Sequence, residues 1–365
     1  MLFSKHFGCC RWIYNWALAK KMAAYQATRQ TLHRYDLVPE LPKLKKAEET
    51  AWLSEVNSQS LQQELVYLEL AYEKFFKEKK GFPKFKSKHN DHQSFGCPQN
   101  VTVDDSEISF PKIGPVKAVI SRSFEGKIKT VTVSRTPTGK YFAAVLVEDG
   151  KKLPATKKYS QKTTLGIDLG LTHFATLSTG EKIANPRHLK QNLARLKREQ
   201  RRFSRRVKGS NRRNKQRIKV ARVHERVANI RKDFLHKLST RLVSENQALA
   251  FETLNIAGML RNHKLARHIS DAGWKTFIQF SAYKLLWNGK TLLQIGRFEP
   301  SSKLCDCGDI NRDLTLSDRT WTCKKCNRTY DRDIQAAKNI KRMAVHPNNF
   351  VPQDMREMLV EVGNG

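Results

Sequence analysis

Leu165-Gly166-Ile167-Asp168-Leu169-Gly170 is an apolar run with a single charge, Asp168, near its end. So short an apolar run predicts a buried strand, and its glycines let another backbone or a phosphate come close. Two further acids lie in comparable settings. Glu252 ends Ala248-Leu249-Ala250-Phe251-Glu252, and Asp333 opens Asp333-Ile334-Gln335-Ala336-Ala337-Lys338-Asn339-Ile340, where Ala336, Ala337 and Ile340 share one helical face. A lone Asp after a strand is more often a turn or cap residue than a ligand. Two acids at strand ends and one at a helix start together make an oxygen site for hard divalent cations. Two Mg²⁺ ions about 4 Å apart, held by such acids, can stabilise the attacking and leaving oxygens of a phosphodiester displacement. Asp168, Glu252 and Asp333 are therefore the candidates for catalysis and for magnesium, and nuclease or strand-transferase chemistry is expected.

Outward from this strand, the chain reads strand, strand, helices, strand, helix, strand, helix, an α/β order. A second strand is expected over Phe174 to Ser178, then a helix around Asp271 to Trp287 and a strand over Thr291 to Ile295. Residues 1 to about 80 read as a helical hairpin, with Leu61, Leu65, Leu68, Tyr72 and Phe75 on one face and Ser60 and Gln63 placed as a capping box. From Gly81 to about Val147 the pattern is short and strand-like, with Gly and Pro punctuation, and suggests a small barrel. Lys151 to Lys162 is a polar linker.

The chain carries 68 Lys and Arg against 34 Asp and Glu, a formal net charge of +34, which implies a polyanionic partner. No run of 18 or more apolar residues is present, so nucleic acid is favoured over a membrane. The cations concentrate between His188 and Lys232, where 18 Lys and Arg face only Glu199 and Glu225, a net of +16. Helical apolar stripes on either side of Gly209-Ser210-Asn211 make this a folded basic hairpin rather than a tail, and Arg201, Arg202, Arg205 and Arg206 are its candidate nucleic-acid contacts.

Four of the seven cysteines, Cys305, Cys307, Cys323 and Cys326, fall within 22 residues. Cys323-Lys324-Lys325-Cys326 has the spacing of a zinc knuckle, and paired with Cys305-Asp306-Cys307 it reads as a ribbon holding one structural Zn²⁺. The first pair is one residue short of the usual spacing. Clustered thiols and the lack of a recognisable signal peptide point to the cytoplasm, here a bacterial, nucleoid-associated one.

Taken together, Gly166-Ile167-Asp168-Leu169-Gly170, Phe251-Glu252-Thr253-Leu254-Asn255, Ser301-Ser302-Lys303, Trp321-Thr322-Cys323 and Asp331-Arg332-Asp333-Ile334-Gln335-Ala336-Ala337 resemble the TnpB family of bacterial insertion sequences. So do Gly8 to Leu18, Gly81 to Ser87 and Val131 to Arg135 upstream. The resemblance implies an RNA-guided DNA endonuclease related to type V CRISPR effectors. It implies a multidomain α/β protein with an RNase H-like (RuvC) nuclease core, helical insertion and zinc ribbon, plus a wedge β-barrel and an N-terminal helical recognition domain.

The domains expected are 1–80 helical recognition, 81–160 barrel and linker, and 161–302 nuclease with the basic hairpin at 188–245. They continue with 303–328 ribbon, 329–340 end of the nuclease and 341–365 tail. The family's partners are a guide RNA from the transposon end, with one protein per RNA, and double-stranded DNA next to a short transposon-adjacent motif. For reading that motif the resemblance singles out Tyr14, Asn15 and Gln62. It also selects Asp333 rather than Asp331 as the third acid. Three features depart from the family: the strand usual upstream of Phe7-Gly8 is absent, so the barrel is expected to expose an edge, the Cys305–Cys307 pair is short, and Gln335 replaces Asn. The alternatives are a nuclease-inactive RNA-guided DNA-binding protein and a transposase-like strand transferase.

Overall fold

In the computed structural model, which describes residues 2–89, 93–297, 299–315 and 317–345, the chain divides into two units, Met1–Lys151 and Lys152–Gly365. The division falls inside the polar linker. Most of the expected tail lies outside the described residues. Among the described residues no helix is long and apolar enough to cross a membrane.

The first unit opens with α1 (Leu2–Thr28), two short helices α2 (Arg34–Leu37) and α3 (Glu40–Lys46), a 3-10 segment (Glu48–Glu55) and α4 (Ser58–Glu78). Asn57, rather than Ser60, caps α4: its side chain accepts from the Gln59 amide at 3.2 Å. Ser60 is instead fully buried, its hydroxyl 3.3 Å from the Cys97 sulfur. Six strands follow, β1 (Gln93–Cys97), β2 (Thr102–Val103), β3 (Glu107–Phe110), β4 (Gly114–Lys117), β5 (Lys127–Arg135) and β6 (Tyr141–Glu148). Their pairing gives two antiparallel sheets, β1-β5-β6 and β2-β3-β4, so among the described residues the strand ladder does not close into the expected barrel. Nor do the helices and strands have separate interiors. Ile13, Leu18, Leu61, Leu65 and Leu68 from the helices share one core with Phe95, Val131 and Val133 from the strands, because each layer has only one apolar face and must bury it on the other.

The second unit is built on β7 (Thr164–Leu169), β8 (His173–Leu177), β9 (Lys182–Ala184), the hairpin α5 (His188–Ser204) and α6 (Asn211–Glu245), and β10 (Ala248–Glu252). It continues with α7 (Ile256–Met259), α8 (Ala266–Ala272), α9 (Trp274–Trp287), β11 (Thr291–Ile295), the ribbon strands β12 (Thr320–Thr322) and β13 (Thr329–Asp331), and α10 (Arg332–Ala344). The helix expected over 271–287 breaks at Gly273, whose φ of +73° ends α8 and starts α9.

The sheet order is β11-β10-β7-β8-β9. β10 is parallel to both β7 and β11, while β8 and β9 return antiparallel. β10 is buried from Ala248 to Phe251 because helices cover both faces. Leu235, Leu242 and Phe277 pack with Leu165, Ile167, Leu249 and Phe251 on one side, and Ile340 and Ala344 with Ala248, Ala250 and Leu293 on the other. Gly166 answers what the strand glycines are for. A Cβ there would stand 2.1 Å from the Ala337 carbonyl and 2.8 Å from the Lys341 amide, so the missing side chain is what lets α10 lie directly on β7.

Candidate active site and zinc ribbon

Backbone register brings the first two acids together. β7 and β10 run parallel with Ile167 beside Phe251, and one residue further along each strand come Asp168 and Glu252. The third acid comes from the head of α10, which packs on β7 through Gly166. In the Asp331-Arg332-Asp333 repeat the two acids have different tasks. Asp331 is the N-cap, its carboxylate accepting from the amides of Asp333 and Ile334 at 3.1 Å each, and it pairs with Lys182 at 2.5 Å. Asp333, in the first turn of the helix, stands 3.8 Å from the Arg319 guanidinium.

The electrostatics carry the mark of a shared site. Burial pushes the Asp168 carboxyl up to about 7, and the neighbouring Asp333 and Glu252 carboxylates push it the same way, against the opposing charge of Arg332. Burial also raises Glu252. Acids that repel one another in a poorly solvated place cannot all ionise alone, and a divalent cation with oxygen preference relieves the conflict. Among the described residues the ribbon thiols are the one group of three or more such side chains close enough to share a single ion, and the three carboxylates stand further apart.

The four cysteines meet despite the short first pair. Their sulfurs all lie within 4.8 Å of one another, with Cys305 to Cys326 at 3.5 Å and Cys307 to Cys323 at 3.7 Å. Four sulfurs at about 2.3 Å from a tetrahedral ion stand close to such separations, so the residues fit zinc. Two turns make this possible. Gly308, with φ +89°, reverses the chain so that the Cys305 amide donates to Asp309 O at 2.8 Å, and Asn327, with φ +53°, does the same after Cys326. Burial opposes ionisation of Cys305, yet hydrogen bonds from the Tyr330 hydroxyl and the neighbouring cysteine groups outweigh it and bring the thiol down to about 6.

The ribbon is tied to α10 by two buried amides that the sequence reading had not assigned. Gln335 Nε2 donates to Asp306 Oδ1 at 2.9 Å, and Asn339 Nδ2 to the Ser301 and Leu304 carbonyls at 2.7 Å each. Their signal was available, since two amides spaced i, i+4 interrupt the apolar face of Ala336, Ala337 and Ile340. Gln335, one methylene longer than the Asn expected there, reaches the aspartate of the shortened cysteine pair.

Arg201, Arg202, Arg205 and Arg206 are all exposed at the tip of the α5–α6 hairpin. Arg202 reaches Glu199 at 3.4 Å. The two helices are held together along the hairpin: Leu196, Val223 and Val227 are buried, and close to the turn Gln216 donates to buried Glu199 at 2.7 Å and the Arg213 guanidinium lies 4.2 Å from the Phe203 ring. The motif-reading candidates are placed differently. Tyr14 is buried under the Lys86 ammonium, and Asn15 spends both ends of its amide on the Lys86 backbone, at 2.9 and 2.7 Å. Both are thus committed within the first unit, while Gln62 is half-buried on α4.

Comparison with known proteins follows the same division. Family models match over residues 142–263 (OrfB_IS605, "Probable transposase"), 274–340 ("Cas12f1-like, TNB domain") and 1–30 (an OrfB "Helix-turn-helix domain", of which 2–28 form the single helix α1). A "Putative RNA-guided DNA endonuclease" of Streptomyces pristinaespiralis is 43% identical over 92% of this chain and 84% of its own length. InsQ of Escherichia coli K12, with the same description, is 33% identical over 91% and 86%. The Cas12f1 chain of a complex with single-guide RNA and target DNA shares the fold, at TM-score 0.58 and 12% identity, over 95% of this chain and 82% of that one. A mixed five-stranded sheet with acids on its central strands and a helix-borne acid beside them is a RuvC-containing nuclease architecture. The chain belongs to the OrfB/TnpB family of insertion-sequence proteins.

Proposed function

We propose that the chain is an RNA-guided DNA endonuclease of an insertion sequence, cutting double-stranded DNA beside a short transposon-adjacent motif under a guide RNA from the transposon end. One protein per guide is the expected stoichiometry. The observation that supports the reading is the packing: parallel register sets Asp168 and Glu252 at adjoining strand ends, and α10, seated on β7 through Gly166, carries Asp333 at its head. Asp168, Glu252 and Asp333 would hold two Mg²⁺ ions, which when bound supply Lewis-acid stabilisation of the attacking and leaving oxygens. Asp331 and Lys182 fix the head of α10 that carries Asp333, and Cys305, Cys307, Cys323 and Cys326 would hold one zinc ion beside the loop that the Gln335 and Asn339 amides grip. The relatives' names and the Cas12f1 likeness support the same reading.

The test is to sequence the RNA that copurifies with the protein and to offer it DNA matching that RNA with Mg²⁺. Cleavage confined to matching DNA is expected. Recognition of bare transposon ends without RNA would point to a strand transferase instead.

The hairpin arginines should contact phosphates in this complex. Changing Arg201, Arg202, Arg205 and Arg206 to Gln should weaken nucleic-acid binding and flatten the slope of log affinity against log salt by about three, since each phosphate contact releases roughly 0.7–0.9 of a counterion. An unchanged slope would place this tip in solvent.

A further inference from the structure

The C-terminal end of α4 carries an aromatic cluster at the edge of the main core, on which Tyr72 packs. Tyr72, Phe75, Phe76 and Phe82 meet ring to ring, with centroids 5.0 Å apart for Phe75 and Phe76, 5.4 Å for Phe75 and Phe82, and 5.5 Å for Tyr72 and Phe82. Phe76 is nevertheless 72% exposed and Phe82 42%. The chain goes out of its way to build this surface. Lys79 takes a left-handed φ of 51°, unfavourable for a residue with a Cβ, and the reversal returns Phe82 onto Tyr72 and Phe75. Residues 74–88 contain seven lysines and one acid, Glu78, which is ion-paired to Lys80. Lys77 and Lys79 are exposed beside the rings.

Exposed rings edged by cations suit unpaired bases, which stack on π-faces while their phosphates meet the charges. The rings cannot reach the paired bases of a duplex. A folded RNA presents unstacked nucleotides in its loops, bulges and ends, whereas target DNA is paired until it is opened. The density of lysine disfavours an apolar protein partner. We propose that Phe76 and Phe82 form a stacking platform for unpaired nucleotides of the guide RNA, with Lys77 and Lys79 on the adjoining phosphates. This rests on the RNA-guided reading above.

The probes are a 12-nucleotide oligoadenylate RNA, the corresponding DNA, and an RNA duplex of equal length, bound to full-length protein freed of copurified nucleic acid. The double variant Phe76→Leu, Phe82→Leu keeps apolar bulk but removes the π-faces. It should lose about 10-fold in affinity for the single-stranded RNA, with the salt slope, the duplex affinity and the thermal unfolding temperature unchanged. Lys77→Gln with Lys79→Gln should instead lower the slope by about 1.4. Undiminished RNA affinity in the leucine variant, equal loss on the duplex, a loss confined to the DNA, or a change of oligomeric state in its place overturns the platform. If the wild type also performs guided cleavage, only the platform falls. A wild type that binds no RNA overturns the RNA-guided reading itself.

Discussion

Asp168→Ala is expected to lower Mg²⁺-dependent cleavage by roughly 10³-fold or more, the scale on which one preorganised electrostatic stabiliser counts, while target binding stays near wild type. The two effects separate because Asp168 is half-buried at the end of a central strand, whereas the exposed arginines lie on the α5–α6 hairpin. Gel-shift and cleavage assays on the same guided complex measure both. Equal cutting by mutant and wild type would remove Asp168 from the site.

The same residue sets a pH dependence. Its carboxyl is raised from 3.8 to about 7 in the folded chain, by burial first and then by Asp333 and Glu252. A raised acid favours the folded state most when protonated, so in metal-free protein this contribution is full below the unfolded value and is lost as pH climbs through the folded one. The unfolding temperature of metal-free wild type should therefore fall relative to Asp168→Asn between about pH 4 and pH 7 and level off above that. Mg²⁺ should restore it at the alkaline end. Parallel wild-type and Asp168→Asn curves would show that the carboxyl is not under this strain.

Cys323→Ser is expected to lose both zinc, about one ion per chain in the wild type, and cleavage. The ribbon core is little more than Cys305, Leu314, Trp321 and Cys323, too small to hold its loops without metal. When it melts, the Gln335 and Asn339 side chains lose Asp306 Oδ1 and the Ser301 and Leu304 carbonyls. Each buried donor left without an acceptor costs about 1–3 kcal/mol, and both sit on the helix that carries Asp333. The first unit has its own core and should stay folded. Elemental analysis, cleavage and circular dichroism of the variant test this. Cleavage intact without zinc would show that β7 and Gly166 place α10 unaided.

Much of this was open to reading because local pattern and local structure agree. The β11 strand falls at Thr291–Ile295 as the apolar run implied, the basic hairpin turns at Ser210, and the cysteine spacing predicted a cluster that four sulfurs now form. Errors came where a tertiary partner overrode a local signal. Ser60 looked like a cap but is buried against Cys97, because the helix that carries it packs on the strands and shares their core.

By itself the sequence determined the chemical inventory: three carboxylates in apolar settings, four thiols, and a basic hairpin whose charge no local acid neutralises, because residue type and spacing suffice to specify ligands and periodicity. Only the tertiary structure decided how these are combined. Parallel register puts Asp168 beside Glu252, Gly166 admits α10 to the sheet, and two amides join ribbon to helix. Those assignments depend on which distant segments touch, and no local propensity encodes that.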